Sequence, residues 1–325
     1  MMRLNKRLQI GFFVFIALSL FFLLRVPYFP PMRVIEKLFR PTRIFIGIIT
    51  HSSSAGRARA FWNYFSQHFL ECPYLHGPFF TTLSESDSTG LNVLQISNEY
   101  ESIIETYPYV RSKPRNINIM QKMLTSMKYF LEKTDDDYYL RMTDDVYINF
   151  PEIPSLLEEL KEKGDPRKIP VIIGHCLRIN GSTFLQGGTG YLFSRRAAEI
   201  FYGHHDQLLR VVNWYEDWVV YTLIQKIVPN YLETGSPLFN AQGMTTEMRV
   251  QLERGNYTGI QKCPKIVRGS INCLQYFIQF KKSVFYHQYG FYPKPESWNS
   301  MISKAPDNLF WYQLYLNSIP CFQDK

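Results

Sequence analysis

The chain has no Cys-x-x-Cys pair among its five cysteines (Cys72, Cys176, Cys263, Cys273 and Cys321), which argues against a structural zinc site. It has no run of five or more basic residues and no nucleic-acid-binding motif, so nucleic acid is excluded as a partner. Glycine is single after the first apolar strand, so the phosphate-loop and dinucleotide fingerprints are missing. Internal repeats and low-complexity tracts are missing too. What remains is a 325-residue chain, 46% hydrophobic and 16% aromatic, able to bury one large core or two small ones. Its net charge of +8 suits an anionic ligand or an anionic membrane surface.

There is one long apolar run, residues 8–24, and it follows Arg3, Lys6 and Arg7. As a helix it reaches roughly 25 Å at about 1.5 Å per residue, enough for a thin bilayer. The basic flank keeps the N-terminus cytosolic and sends the rest into the lumen. A cleaved secretory signal is the competing reading, but the run ends in Leu-Leu-Arg-Val-Pro with no small-x-small site. The expected organisation is a cytosolic tail (1–7), a transmembrane signal-anchor (8–26), a proline-bearing stem (27–42) and one luminal domain (43–325). The sequons Asn180-Gly181-Ser182 and Asn256-Tyr257-Thr258 fit that destination. In an oxidising compartment Cys263 and Cys273 could close a short loop, and the odd cysteine count leaves at least one thiol free or paired between chains.

Within the luminal domain, residues 44–50 form a buried strand that feeds a polar loop, where Ser53 or Ser54 caps a helix beginning near Arg57. A strand, polar loop and helix open many nucleotide-binding α/β units. Residues 79–83 and 93–96 read as further strands, and residues 116–133 have helical spacing with a broad apolar face. An acidic triplet, Asp135-Asp136-Asp137, precedes the next strand and reads as a solvated turn.

Residues 137–149 are the stretch on which the rest is organised. A short apolar strand ends in Asp144 and Asp145, where open α/β sheets bind ligands. Adjacent carboxylates repel unless a cation or bound donors hold them, so a hard metal such as Mn²⁺ or Mg²⁺ is a natural partner. Asp-Asp pairs also serve as solvated turns and helix caps. Further on, residues 171–174 are a strand. Three glycines in four positions (Gly187, Gly188, Gly190) then suggest backbone that approaches a ligand closely. Ser194 caps a helix over 195–202, and Glu216-Asp217 open another. A carboxylate there is favoured by the helix dipole. Among Trp214, Tyr215 and Trp218 it would also be desolvated toward the pKa of a general base.

Taken in order, several segments resemble glycosyltransferase family 31, the β1,3-glycosyltransferases that include the Fringe proteins and the core 1 galactosyltransferases. They are Thr143-Asp144-Asp145-Val146-Tyr147-Ile148-Asn149, Gly187-Gly188-Thr189-Gly190-Tyr191 with Ser194-Arg195, Glu216-Asp217-Trp218-Val219, and Phe285-Tyr286-His287. The resemblance spans roughly residues 44–292. It implies an α/β, GT-A-type nucleotide-sugar-binding fold with a central mostly parallel sheet. Carried over, Asp145 and His287 hold Mn²⁺, Asp144 contacts the metal's waters or the donor, and Asp217 is the general base. Arg57, Arg59, Lys122, Thr143, Gly187 and Gly188 are candidate donor contacts; Trp218 and Glu216 are candidate acceptor contacts. One departure is that Thr143 stands where the family has its first Asp; another is that Trp218 replaces a smaller residue.

The expected function is an inverting, metal-dependent β1,3-glycosyltransferase of the Golgi membrane that moves a sugar from a UDP-sugar to a glycan or glycoprotein acceptor. A catalytically silent, lectin-like or folding-partner protein on the same fold is the alternative, motivated by Thr143. A two-metal phosphohydrolase needs more converging ligands than the sequence offers.

Overall fold

In the computed structural model, the described residues are 41–50, 55–82, 90–96, 99–100, 103, 114–179, 182–211, 216–227, 232–236, 238–240 and 283–287. The expected anchor, nearly all of the stem, both sequon asparagines, Cys263 and Cys273 lie outside them. Among the described residues no helix is long and apolar enough to cross a membrane. The chain divides into two compact units, Met1–Pro41 and Thr42–Lys325, and every described strand and helix belongs to the second.

The first strand, β1 (Ile44–Ile49), is buried along its whole length. Its side chains alternate between two cores: Ile44, Ile46 and Ile48 face one, Phe45 and Ile49 the other. A strand buried on both faces must lie inside a sheet that is covered on both sides. The first core is closed by Phe61, Phe65 and Phe69 of helix α1 (Ala55–Glu71). The second is closed by Met120, Met123, Leu124, Met127 and Phe130 of helix α2 (Pro114–Lys133). Helix α2 packs tightly at Gly47, where a Cβ would come within 2.8 Å of Ser126 Oγ.

The sheet has seven strands in the order β10-β6-β9-β4-β1-β2-β3. They are β2 (Leu75–Thr82), β3 (Val93–Gln95), β4 (Tyr138–Thr143), β6 (Val171–Gly174), β9 (Tyr191–Ser194) and β10 (Leu232–Gly235), together with β1. All neighbouring pairs are parallel except those made by β9, which runs antiparallel between β4 and β6. This is the expected mixed α/β architecture with a mostly parallel sheet. A three-stranded sheet, β11-β12-β5, joins β5 (Val146–Ile148) to β11 (Phe239–Asn240) and β12 (Phe285–His287). The hairpin of β7 (Cys176–Ile179) and β8 (Ser182–Leu185) stands apart. Helix α3 (Ile153–Glu162) turns Leu156 and Leu160 into the first core. Helix α4 (Arg195–Tyr202) begins where expected: Ser194 accepts the Ala197 amide at 3.3 Å. Helices α5 (His205–Val211) and α6 (Glu216–Ile227) follow.

Two expectations are corrected. The strand expected at 79–83 starts at Leu75, because Gly77 and Pro78 form a bulge inside it rather than a boundary before it. Phe45 pairs with His76 and Gly47 with Phe79, so two residues of β2 oppose Ile46 alone; Gly77 takes a φ of +128° there. The acidic triplet is not a solvated turn. Asp136 is 1% exposed, with His76 Nδ1 2.5 Å from one carboxylate oxygen and Arg43 Nε 3.4 Å from the other. Arg167 binds Asp135 and Asp137 at 2.8 and 3.2 Å. The triplet clasps the entry ends of β1, β2 and β4 together.

Burial pushes the Asp136 carboxyl upward, but His76 and Arg43 outweigh it and leave its pKa below the ordinary value. A depressed native pKa stabilises the fold above the unfolded value of about 4 and is lost as pH falls through the native one. Asp136→Asn should therefore cost about 3 kcal/mol in urea unfolding near neutral pH. The gap from the unchanged chain should close as the pH is lowered below about 4.

Candidate active site

The carboxyl ends of β1, β4 and β6 share one edge of the sheet, since β1 and β4 are parallel and β9 opposes both β4 and β6. Thr50, Asp144, Asp145 and His175 therefore emerge side by side. Residues 187–190, leading into β9, arrive at the same edge. The turn they make needs glycine at 190: φ there is +95° and a Cβ would lie 2.2 Å from the Arg141 carbonyl oxygen.

Asp145 and His287 meet there. Strand β12 pairs antiparallel with β5 in the register that sets His287 opposite Val146, next in sequence to Asp145. His287 Nε2 lies 3.4 Å from Asp145 Oδ2, and the histidine side chain is 7% exposed. Among the described residues its Nδ1 has no hydrogen-bond partner. The ring packs on Gly188, where a Cβ would come within 2.6 Å of Nδ1. Burial raises the Asp145 carboxyl, but His287, Thr143 and Arg57 together pull its pKa below the ordinary value. Thr143 Oγ1 is 2.5 Å from Asp145 Oδ1 and 2.9 Å from the Gly188 carbonyl. Its one proton serves one of these acceptors at a time, so Thr143 braces the motif from within.

The two adjacent aspartates have different partners. Asp144, 3% exposed, accepts a hydrogen bond from Thr50 at 2.6 Å and pairs with Arg57 at 2.5 Å. Burial raises its pKa, and these two partners only partly offset that. Asp144, expected to contact the metal's waters or the donor, holds Arg57 at the site edge with its carboxylate. Lys122 is also buried there, donating to the Thr50 carbonyl at 2.5 Å; burial lowers its pKa to about 8 against the pull of Asp144. Arg59, by contrast, is exposed, two residues along α1 and roughly 200° around it from Arg57.

On the other side of the turn, Asp217 is half-buried at the start of α6 and accepts the Gly187 amide at 3.2 Å. Glu216, expected at the acceptor, instead lies beneath the turn, 6% exposed. Arg141 of β4 binds it at 3.0 Å, and the Tyr191 hydroxyl donates to its other oxygen. Arg141 also donates to the Gly187 carbonyl. Burial pushes the Glu216 pKa up, with Arg141 opposing. Trp218 lies in the first turn of α6, while Trp214 and Tyr215, expected around Asp217, fall outside the described residues.

No protein-family model and no curated protein matches this chain. Solved structures do show likenesses. A glycosyltransferase involved in the glycosylation of the major capsid of PBCV-1 is 14% identical, with 80% of this chain and 98% of that one aligned at a TM-score of 0.44. The galactosyltransferase LgtC, in complex with donor and acceptor sugar analogs, is 11% identical over 84% of this chain and 99% of that one, at 0.40. The glycosyltransferase GlyE of Streptococcus pneumoniae TIGR4 is 11% identical over 85% and 62%, at 0.39. Likenesses at this level say nothing of activity.

Sequence reasoning missed Arg141, Thr50, Tyr191 and His175. Arg141 had a visible signal, a charge inside an otherwise apolar strand; a buried arginine implies a buried acid somewhere. His175 stands just after β6, and its Nδ1 lies 3.0 Å from the Phe239 carbonyl; burial drives its pKa down to about 4, so it is neutral at physiological pH. Removing one partner of the buried pair should be severe: Glu216→Ala is expected to cost about 3–5 kcal/mol in denaturant unfolding. The double substitution Arg141→Met, Glu216→Leu should recover most of that loss.

Proposed function

We propose that this chain is an inverting, metal-dependent β1,3-glycosyltransferase that moves a sugar from a UDP-sugar to a glycan or glycoprotein acceptor, anchored in the Golgi membrane by residues 8–26 with its catalytic domain in the lumen. The observation that carries this reading is the meeting of Asp145 and His287 beside two buried or half-buried cations, Arg57 and Lys122, with Asp217 held one turn residue away.

The Asp145–His287 pair fits a divalent ion. His287 Nε2 and Asp145 Oδ2, 3.4 Å apart, would offer one imidazole and one carboxylate ligand to a single ion. Among the described residues no third His, Cys, Asp or Glu joins them, and Mg²⁺ and Mn²⁺ characteristically complete their shells with waters and phosphate oxygens. When bound, the ion neutralises charge growing on the diphosphate leaving group. Arg57, aimed by Asp144, and Lys122 add positive charge on the same side. Gly187 fixes the orientation of the Asp217 carboxylate. That carboxylate takes the proton of the acceptor hydroxyl as the hydroxyl oxygen bonds to the anomeric carbon and the bond from that carbon to UDP breaks. Attack from the face opposite UDP converts an α-linked donor into a β-linked product.

Calorimetry of UDP binding to the full chain in detergent, with Mn²⁺ and again with EDTA, tests the donor site. Binding should need Mn²⁺ and weaken at least tenfold in Asp145→Ala. Asp217→Ala should bind UDP as before while turnover falls roughly 10²- to 10⁴-fold. Thr143, a hydroxyl where a carboxylate is expected, favours the silent glycan-binding reading. Glycan binding with no UDP binding under either condition would favour that alternative over the transferase.

A further inference from the structure

Resting on that reading, we infer that His175 is a positioning residue that sets the spacing of Asp145 and His287 by tying together the strand that carries His287 and the turn on which its ring packs. A carbonyl oxygen only accepts hydrogen bonds, so the 3.0 Å contact with Phe239 fixes the His175 proton on Nδ1. Phe239 pairs with Phe285 in β12, two residues before His287, and the neighbouring Leu238 carbonyl accepts the amides of Val284 and Phe285 at 2.8 and 3.0 Å. The β11 strand is two residues long. So short a ladder holds little by itself, and the His175 side chain adds a bond to its backbone beside those from Ser236 to Gly174 and from Phe239 to Ser236.

The same residue reaches the turn by its backbone. The His175 carbonyl accepts the Gln186 amide at 2.8 Å. Gln186 Oε1 in turn accepts from both the backbone amide and the hydroxyl of Thr189, each at 3.1 Å. Gly188, enclosed by that bracket, receives the His287 ring on its Cα side and offers its carbonyl to Thr143 at 2.9 Å. His287 is therefore held from two sides, and His175 is bonded to both. Groups that orient a metal ligand in this way commonly change metal affinity by 10- to 100-fold when removed.

The distinguishing experiment compares amides of two lengths. An asparagine at 175 puts an N–H where Nδ1 stands, whereas a glutamine puts it near the position of Nε2. Mn²⁺ alone is titrated into the full chain in detergent, and free ion is followed by electron paramagnetic resonance. Melting temperatures are taken without metal. His175→Asn should keep Mn²⁺ affinity within about threefold of the unchanged chain, and His175→Gln and His175→Leu should weaken it roughly 10- to 100-fold while the Gln variant still melts cooperatively. Equal affinity in the Asn and Gln variants, or unchanged affinity in the Leu variant, would overturn the inference and leave the transferase reading standing. If the unchanged chain bound no Mn²⁺, the metal-dependent reading would fall first and this inference with it.

Discussion

The candidate site depends on one register. Side chains alternate across a strand with a period of two, so a slip of one residue between β12 and β5 would turn His287 away from Asp145. The observed pairing sets His287 against Val146, and the strand concerned is three residues long. Such a strand is located by what surrounds it: the Phe239–Phe285 contact, buried in the first core, and the backbone bonds from Asn149 to Val284 and from Val284 to Leu238. Hydrophobic burial thereby decides where the polar Asp145–His287 pair is assembled.

Charge is distributed over the sheet in a way that separates structure from chemistry. At the entry ends of the strands Asp136, His76 and Arg43 form a clasp, with Arg167 and Arg195 completing the backbone and side-chain bonds around it. At the carboxyl ends the buried Arg141–Glu216 pair supports the glycine turn from below. Beside it, Asp144 pairs with Arg57 and Asp145 with His287. A buried pair gives little net stability compared with apolar packing but is costly to break. That makes such pairs effective at fixing the position of a turn, which is what Gly187 and Gly188 require.

Much of this architecture is legible in the sequence. The apolar runs of β1 and β6, the largely apolar β4, the Ser194 cap and the amphipathic face of α2 all follow local rules, and local rules suffice for them. The first half of β2 escapes because a Gly-Pro pair that normally ends a strand sits inside it as a bulge. Asp136 defies a local reading because burial is a property of the fold, and nothing in a triplet of aspartates says which one points inward. Arg141 announces a missing acid, but its partner lies 75 residues away. Glu216 and Asp217 share one sequence signal and part ways through helix geometry: one carboxylate turns under the glycine turn and the other onto it. Residues such as His175, which act through a single bond to a distant carbonyl, leave no periodicity and no motif.

A crystal of the protein grown with UDP and Mn²⁺, with anomalous scattering recorded at the manganese edge, would test the central claim most directly. The account predicts one anomalous peak about 2.2 Å from both Asp145 Oδ2 and His287 Nε2, with diphosphate oxygens on its open side. A peak elsewhere, or UDP bound at this edge with Asp145 and His287 still paired only with each other, would contradict it.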